Sequence, residues 1–328
     1  CVPAAQGGAA ERVELRALCA LREALGYRDP LYDLMFAMQG LGSYPVTVAG
    51  SEAQRASLLP AIARGEAIGA FALTEPEAGS DVSAIRTTAR RQEDGGYVLD
   101  GEKTFISNAG LATAYVLFAR TGADPRRGLS AFLLPAEAPG LEIAPLPLLT
   151  DDHPIGTLRL RGVALPAAAR IGQEGEGMAI ALSTLDLFRT SVGAAAVGMA
   201  RRALDEALRR VRARVQFGKP LCEFQATQLA LAEMATDVDC AALLVGRAAW
   251  LVDSGARSSR ESSMAKLHAT EAAGRVVDRA LQLHGGAGLV RGGVIERLYR
   301  EVRALRIYEG TSEIQKLIIA RDLLRSSS

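Results

Sequence analysis

Toward its C-terminal end the chain reads Arg306-Ile307-Tyr308-Glu309-Gly310-Thr311-Ser312-Glu313-Ile314-Gln315. A carboxylate stands against a glycine, between two segments of helical spacing. Two readings fit. The glycine closes a helix beside an ordinary surface acid, or a short connection carries a catalytic base. Two further stretches join turn residues to hydroxyls. Phe71-Ala72-Leu73-Thr74-Glu75-Pro76-Glu77-Ala78-Gly79-Ser80-Asp81 leaves a strand-like run for a loop, and Gly101-Glu102-Lys103-Thr104-Phe105-Ile106-Ser107-Asn108 follows a second such run. Their aromatic residues read as β-domain core or as ligand contacts. Their hydroxyls read as turn caps or as donors to a ligand.

Composition narrows the function classes. The 328 residues are 49% hydrophobic and 23% charged, an ordinary globular mixture with room for two or three domains. The net charge of +1 does not suggest nucleic-acid binding, and the basic run Arg209-Arg210-Val211-Arg212-Ala213-Arg214 reads mostly as a solvated helix face. Cys1, Cys19, Cys222 and Cys240 are scattered without a CxxC pair, and His153, His268 and His284 lack metal-ligand spacing. No metal site or disulfide framework is expected, and a reducing, cytoplasmic setting fits. No uninterrupted apolar run reaches membrane-spanning length and no signal peptide is visible, so no membrane span is expected. The chain opens on Cys1, which suggests a trimmed or missing beginning.

Three textures follow one another. Helical spacing runs from about Ala10 to Ala63, with Val13, Leu15, Leu18, Leu21 and Leu25 on one stripe, a break at Asp29-Pro30, a second segment from Leu31 to Leu41 and a helix start at Ser51 to Gln54. Short β-type runs follow at Gly69 to Thr74, Ile85 to Arg91, Tyr97 to Gly101, Ala114 to Arg120, Leu129 to Pro135, Leu141 to Ala144 and Thr157 to Leu160. Long helices then cover Gly175 to Ala213, Glu223 to Val252, Ser259 to Leu283 and Thr311 to Leu324. Gln216 to Pro220 interrupts the first two, and Ala194-Ala195-Ala196 predicts close helix packing. The glycine-rich Gly172 to Gly177 follows no clear strand and reads as a loop, not a dinucleotide fingerprint. The predicted fold is α+β and mainly α. An N-terminal helical domain (1-67) precedes a middle antiparallel β-barrel or sandwich (68-168) and a C-terminal four-helix bundle (169-328).

The three stretches together resemble the acyl-CoA dehydrogenase family, whose members bind FAD and form a trans-2,3 double bond in an acyl-CoA thioester. Arg214-Val215-Gln216-Phe217-Gly218, Gln282 to Gly288 and Leu185 to Gly198 extend the resemblance over nearly the whole chain, in order. The chemistry accounts for the residue types. A proton α to a thioester is weakly acidic, and a carboxylate in a dry pocket has the raised proton affinity needed to remove it. Flavin N5 accepts the β-hydride, and hydroxyls and amides stabilise the charge that the flavin gains.

The resemblance implies roles residue by residue. Glu309 matches the base, and Gly310 lets the backbone pass close to flavin and substrate. Thr311 opens the next helix, toward a phosphate or ribose. Glu313 matches a cofactor-side position, although its place in the first helical turn also suits an acid favoured by the helix dipole. Thr74 matches a hydrogen-bonding partner of the isoalloxazine, and Phe71, Leu73, Gly79 and Ser80 match further flavin or substrate contacts. Phe105 matches a ring packed beside the flavin, and Ser107 a hydroxyl near N5. Arg214, Gln216 and Phe217 match contacts to the FAD diphosphate and adenine, often from a neighbouring subunit. Gln282, Gly285 and Gly286 match a glycine loop across a subunit boundary, while His284 reads as a local hydrogen-bonding residue. Asp186 and Arg189 match CoA-side contacts, Arg189 lying near the CoA phosphates or the base. Some members carry the base at the position of Phe188, which cannot take a proton.

The resemblance further implies an acyl-CoA substrate, electron-transfer flavoprotein as acceptor and a homotetramer. Two departures qualify it. Family chains run roughly 50 residues longer at the N-terminus, within ordinary domain-size limits. The stretch Asp151-Asp152-His153-Pro154-Ile155-Gly156-Thr157 lacks the usual Arg- and Ser-containing pattern, so its CoA contacts are not carried over. An oxidase or a flavin monooxygenase of the same fold, and a scaffold that has lost its flavin, remain as alternatives.

Overall fold

The computed structural model describes residues 1–125, 127–150 and 153–326. Asp151 and Asp152 of the departing loop therefore lie outside the described residues. The described residues form two compact units: those within 1–13, 35–148 and 153–185 make one, and those within 14–34, 149–150 and 186–326 the other.

Helices α1 (Leu15–Arg28), α2 (Pro30–Ala49) and α3 (Glu52–Ala63) open the chain. Helix α3 starts where the sequence predicts: Ser51 accepts from the Gln54 amide at 3.2 Å, and the Gln54 side chain accepts from the Ser51 amide at 2.9 Å, a reciprocal capping box. The buried stripe of α1 is Leu15, Leu18, Cys19, Arg22 and Gly26, whereas Leu21, placed on the stripe by sequence spacing, is exposed. A charged Arg22 holds the position that spacing alone assigns to an apolar side chain.

The first unit holds strands β1 (Gly69–Ala72), β2 (Thr88–Arg91), β3 (Tyr97–Ser107), β4 (Ala114–Arg120), β5 (Leu129–Pro135), β6 (Leu141–Pro145), β7 (Ile155–Leu165) and β8 (Arg170–Ile171). They form one sheet in the order β6-β7-β3-β2-β4-β5-β8, with β1 on β4. The sheet is not wholly antiparallel: β1 pairs with β4 in parallel, Gly69 opposite Ala114, and β2 meets β4 in parallel at Thr88 and Arg120. Parallel neighbours need a long crossover, and the chain from Leu73 to Thr113 supplies it.

Strand β4 shows why its sequence is apolar without alternation. Tyr115, Leu117 and Ala119 join one core cluster with Phe132 and Leu134. Val116 and Phe118 join another, with Leu58, Leu59 and Ile62 of α3. Both faces are buried, so both registers must be apolar.

The second unit takes the later part of α4 (Gly177–Ala213), the hairpin β9 (Val215–Gln216) and β10 (Lys219–Pro220), and helices α5 (Gln225–Asp253), α6 (Ser259–His284), α7 (Val294–Ala304) and α8 (Ser312–Ser326). Helix α7 was not anticipated; it buries Ile295, Leu298 and Val302 and is otherwise strongly charged. The predicted close packing at Ala194 to Ala196 is present: a Cβ on Gly26 of α1 would lie 2.7 Å from the Ala195 carbonyl oxygen. Among the described residues α4 alone is long and apolar enough to cross a membrane, and 72% of its apolar window is buried inside the protein.

Candidate active site

In the first unit a buried ion pair fixes the first motif against the second. Lys103, fully buried on β3, donates to the Leu73 carbonyl at 3.0 Å and to Glu75 Oε1 at 2.8 Å. Glu75 also accepts from the backbone amides of Arg86 at 2.7 Å and Thr87 at 2.9 Å. The strand predicted from Ile85 therefore begins only at Thr88, because the Arg86 and Thr87 amides are used by a side chain. Burial pushes Glu75 up, but Lys103 and these donors outweigh it and hold the carboxyl below its ordinary range. Burial brings Lys103 down to about 8, against the pull of Glu75. The Thr104 amide donates to the Thr74 carbonyl at 2.9 Å, which brings the Leu73-Thr74 and Lys103-Ser107 stretches side by side.

The register of β3 slips between Lys103 and Ile106, and Phe105 sits in that slip with φ 56°. A bulky residue in left-handed backbone is strained. This one also leaves 56% of its surface exposed, between buried Thr104 and Ile106. Phe71 differs: its ring packs on Phe118 at 5.0 Å, and it joins the core with buried Leu73. Thr74 and Ser107 are half-buried, and Gly79 and Ser80 are exposed on the loop. The structure thus presents a strained aromatic ring, flanking hydroxyls and an open glycine loop within one unit.

In the second unit Glu309 stands in left-handed backbone, φ 52°, before Gly310 at φ 92°. Both Glu309 carboxylate oxygens are buried with no hydrogen-bond partner, although other atoms of the residue keep some exposure. Burial raises its proton affinity, and Asp33 adds to the rise; Arg22, Lys266 and Arg189 pull it back, and the net direction is up. The surroundings come from four helices. Arg22 of α1 pairs with Asp33 of α2 through two 2.8 Å bonds and donates to Ser191 of α4 at 2.9 Å. Arg189 of α4 bonds to Asp186, and its Nε is buried without a partner. Lys266 of α6, fully buried, donates to the Gly310 carbonyl at 2.7 Å. Phe188 is also fully buried and offers no base.

Thr311 caps α8, its hydroxyl accepting from the Ile314 amide at 3.3 Å. Glu313 is exposed in the first turn, and backbone amide and Thr311 hydroxyl donors lower its carboxyl. It behaves as a first-turn acid.

The remaining motif residues of this unit are brought near one another. The β9–β10 hairpin turns through Phe217 (φ 48°) and Gly218 (φ 79°), both left-handed, as a two-residue hairpin turn requires. Phe217 is 96% exposed, and Arg214 and Gln216 are exposed beside it. Arg210, one turn before Arg214, donates to the His284 carbonyl at 3.3 Å, which ties the end of α4 to the Gly285-Gly286 turn. Gln282, Gly285 and Gly286 are exposed, and a Cβ on either glycine would meet only open space. His284 bonds locally, Nδ1 to the Ala280 carbonyl at 2.7 Å.

Among the described residues other than glycine, left-handed backbone occurs at Phe105, Asn108, Phe217 and Glu309. All four lie in the motif stretches. Strain of this kind persists where surrounding structure enforces it and tends to mark functional sites. Arg22, Lys266 and the Glu75–Lys103 pair were not assigned roles from sequence. The available signal was charge on an apolar stripe, at Arg22 between Leu18 and Gly26.

Each unit offers its own feature: the first a strained exposed ring with neighbouring hydroxyls, the second an unpartnered buried carboxylate and an open glycine turn. Comparison with known proteins identifies the family. Residues 1–66, 70–163 and 175–324 match the profiles described as the N-terminal, middle and C-terminal domains of acyl-CoA dehydrogenase. Cyclohexane-1-carbonyl-CoA dehydrogenase of Geobacter metallireducens is 37% identical over 324 residues, 98% of this chain and 85% of that protein. Acryloyl-CoA reductase (NADH) of Anaerotignum propionicum is 42% identical over 282 residues, 84% of this chain and 71% of that one. The structure of butyryl-CoA dehydrogenase from Megasphaera elsdenii superposes with a TM-score of 0.94 at 34% identity, covering 98% of this chain and 85% of that one. The chain belongs to the acyl-CoA dehydrogenase family, a family of flavoproteins.

Proposed function

We propose that this protein is an FAD-dependent dehydrogenase that converts an acyl-CoA thioester to the trans-2-enoyl-CoA, with Glu309 removing the α-proton. One observation carries the reading: the Glu309 carboxylate is buried, unpartnered and held in left-handed backbone. A carboxylate satisfied by neighbours has little appetite for a weak carbon acid. One stripped of water and of hydrogen-bond donors has its proton affinity raised toward the working pH. Arg22 and Arg189 already have carboxylate partners in Asp33 and Asp186, so neither is bonded to Glu309.

The groups that would hold FAD are Thr74, Phe105 and Ser107 with the Gly79-Ser80 loop, and Arg214, Gln216, Phe217, Gln282, Gly285 and Gly286 toward the cofactor of an adjacent copy. When bound, FAD supplies the acceptor for the β-hydride at N5. The backbone around Leu73 is braced by Lys103 and Glu75, and the hydroxyls of Thr74 and Ser107 are free of charge that would compete with the flavin. Asp186, Arg189, Ser80 and Gly310 are the proposed substrate-side contacts. The exposed Phe217 hairpin and open glycine turn fit a homotetramer in which one copy completes another's cofactor site. Electron-transfer flavoprotein is the proposed acceptor. By microscopic reversibility the protonated Glu309 would return the proton in the opposite direction, the one named for the Anaerotignum propionicum relative.

The test is direct. The purified protein should be yellow, release FAD on denaturation, and bleach anaerobically with at least one member of a saturated acyl-CoA panel, yielding the enoyl-CoA. A flavin-loaded protein that no acyl-CoA bleaches and no enoyl-CoA reoxidises would overturn the reading.

A further inference from the structure

Two successive left-handed residues at Glu309 and Gly310 need an external hold, since the non-glycine position is strained. Helix α8 provides part: Gln315 Nε2 donates to the Gly310 carbonyl at 2.9 Å. Helix α6 adds two further holds. Lys266 Nζ donates to the same carbonyl at 2.7 Å, and Glu271, five residues on, accepts from the Ser312 hydroxyl at 2.6 Å and pairs with Arg306 at 2.8 Å. The loop is thus gripped on both sides of Glu309.

Lys266 is unusual among the charges around Glu309. Arg22 from α1 is neutralised by Asp33 from α2, and Arg189 from α4 by Asp186. On the loop itself Arg306 is held by Glu271, and Tyr308 is half-buried, its hydroxyl pushed up and neutral. Lys266 is fully buried and makes no ion pair among the described residues; its ammonium is given to a backbone carbonyl instead. A bare buried ammonium is unfavourable, and a methionine would fill the same space without that penalty. Burial brings Lys266 down to about 8, with Glu309 the largest influence holding it up, so it is mostly charged at neutral pH.

We propose that Lys266 is the positioning residue of the base: its buried ammonium holds the Gly310 carbonyl, and with it the left-handed turn that aims Glu309, while keeping a positive charge beside the carboxylate without bonding to it. The inference rests on the reading of Glu309 as base. It adds a division of labour: Gln315 and Lys266 share the turn, and Lys266 alone supplies unneutralised charge. That charge keeps Glu309 ionised to a lower pH than burial by itself would allow.

The test compares the FAD-loaded parent with Lys266→Gln, which keeps a donor and loses the charge, and Lys266→Arg, which keeps both. The first readout is the pH dependence of anaerobic flavin bleaching by an acyl-CoA that bleaches the parent. The second is independent of turnover: the infrared carboxyl band that titrates in the parent and is missing in Glu309→Gln. Lys266→Gln should move both midpoints to higher pH by about one unit or more, the scale of a neighbouring opposite charge. Lys266→Arg should keep the parent midpoint. A lysine that merely fills the core would alter amounts of folded protein but neither midpoint. Coincident midpoints in the parent and Lys266→Gln overturn the inference. If Lys266→Gln does not fold, Lys266→Met, which fills the same space and loses the charge, decides: a midpoint raised by about one unit or more supports the inference, and an unchanged midpoint overturns it. A parent that bleaches with no acyl-CoA, or a Glu309→Gln variant that bleaches normally, sinks the assignment of the base instead, and the infrared titration still reports on Lys266.

Discussion

The Glu309 corner and the Phe217 hairpin each force a non-glycine side chain into left-handed backbone, φ 52° and 48°, but they hold it differently. Glu309 is enclosed: four helices bring Arg22, Asp33, Arg189 and Lys266 around it, and Lys266 and Gln315 clamp the next carbonyl. Phe217 is 96% exposed on a two-residue turn, its ring 6.4 Å from that of Phe224. Strain in the enclosed corner is held by the protein's own interior, which suits a group whose proton affinity must be set. Strain in the hairpin is held by the turn alone, which suits a side chain presented outward. The same backbone signature therefore occurs in two kinds of surroundings, and burial distinguishes them.

The comparison breaks first at Arg22. Arg22→Met leaves Asp33 buried and unpaired, and losing one partner of such a pair costs about 3–5 kcal/mol. Denaturant melts of the variant should show a loss of that order. A loss under about 1 kcal/mol would mean that the corner is not a rigid enclosure.

Burial of Glu309 also has a price in stability that varies with pH. Its proton affinity is raised on folding, chiefly by burial. Its contribution to stability is therefore full below the ordinary carboxylate range and is lost as pH rises through the higher folded value. Glu309→Gln removes that loss. The variant should melt above the parent at neutral pH, with the gap closing in acid. A variant that melts below the parent at pH 7 and matches it at pH 4 would reverse the sign and contradict the burial argument. A gain of this kind is the usual sign of a residue kept for function over stability.

The smallest expected effect on stability lies in the hairpin. Phe217→Ser should change it by no more than about 0.5 kcal/mol, as at other exposed positions. FAD retention through gel filtration should nonetheless weaken about 3- to 10-fold, the scale of one lost aromatic contact. Unchanged retention would separate the hairpin from the cofactor.

Much of this was legible in the sequence because it is local. The Ser51–Gln54 capping box, strands β4 and β5 and the glycine ends of α6 are written in neighbouring residues. Strand β4 could be read as buried on both faces from its unbroken apolar run. The illegible parts are non-local. The parallel pairing of β1 with β4 depends on a crossover whose register no short window records. Lys266 lies in Ser263-Met264-Ala265-Lys266-Leu267-His268, where a lysine reads as an ordinary surface residue; only the return of Gly310, 44 positions later, shows what it holds. Helix α7 was hidden by the charges that surround Ile295, Leu298 and Val302. At the candidate site the motif points to Glu309, while Arg22, Asp33 and Lys266 around it lie outside every motif stretch.

The central claim is that Glu309, and not its neighbour Glu313, removes the α-proton. Stopped-flow absorbance of flavin bleaching tests it most directly, with parent, Glu309→Gln and Glu313→Gln each loaded with FAD and mixed anaerobically with the acyl-CoA that bleaches the parent fastest. Glu313 is exposed in the first turn of α8, so Glu313→Gln should bleach within a few-fold of the parent. Glu309→Gln should bind FAD and acyl-CoA yet bleach at least about 10²- to 10⁴-fold more slowly, the usual contribution of a general base. Bleaching of the Glu309 variant at the parent rate, with the Glu313 variant impaired, would contradict the account.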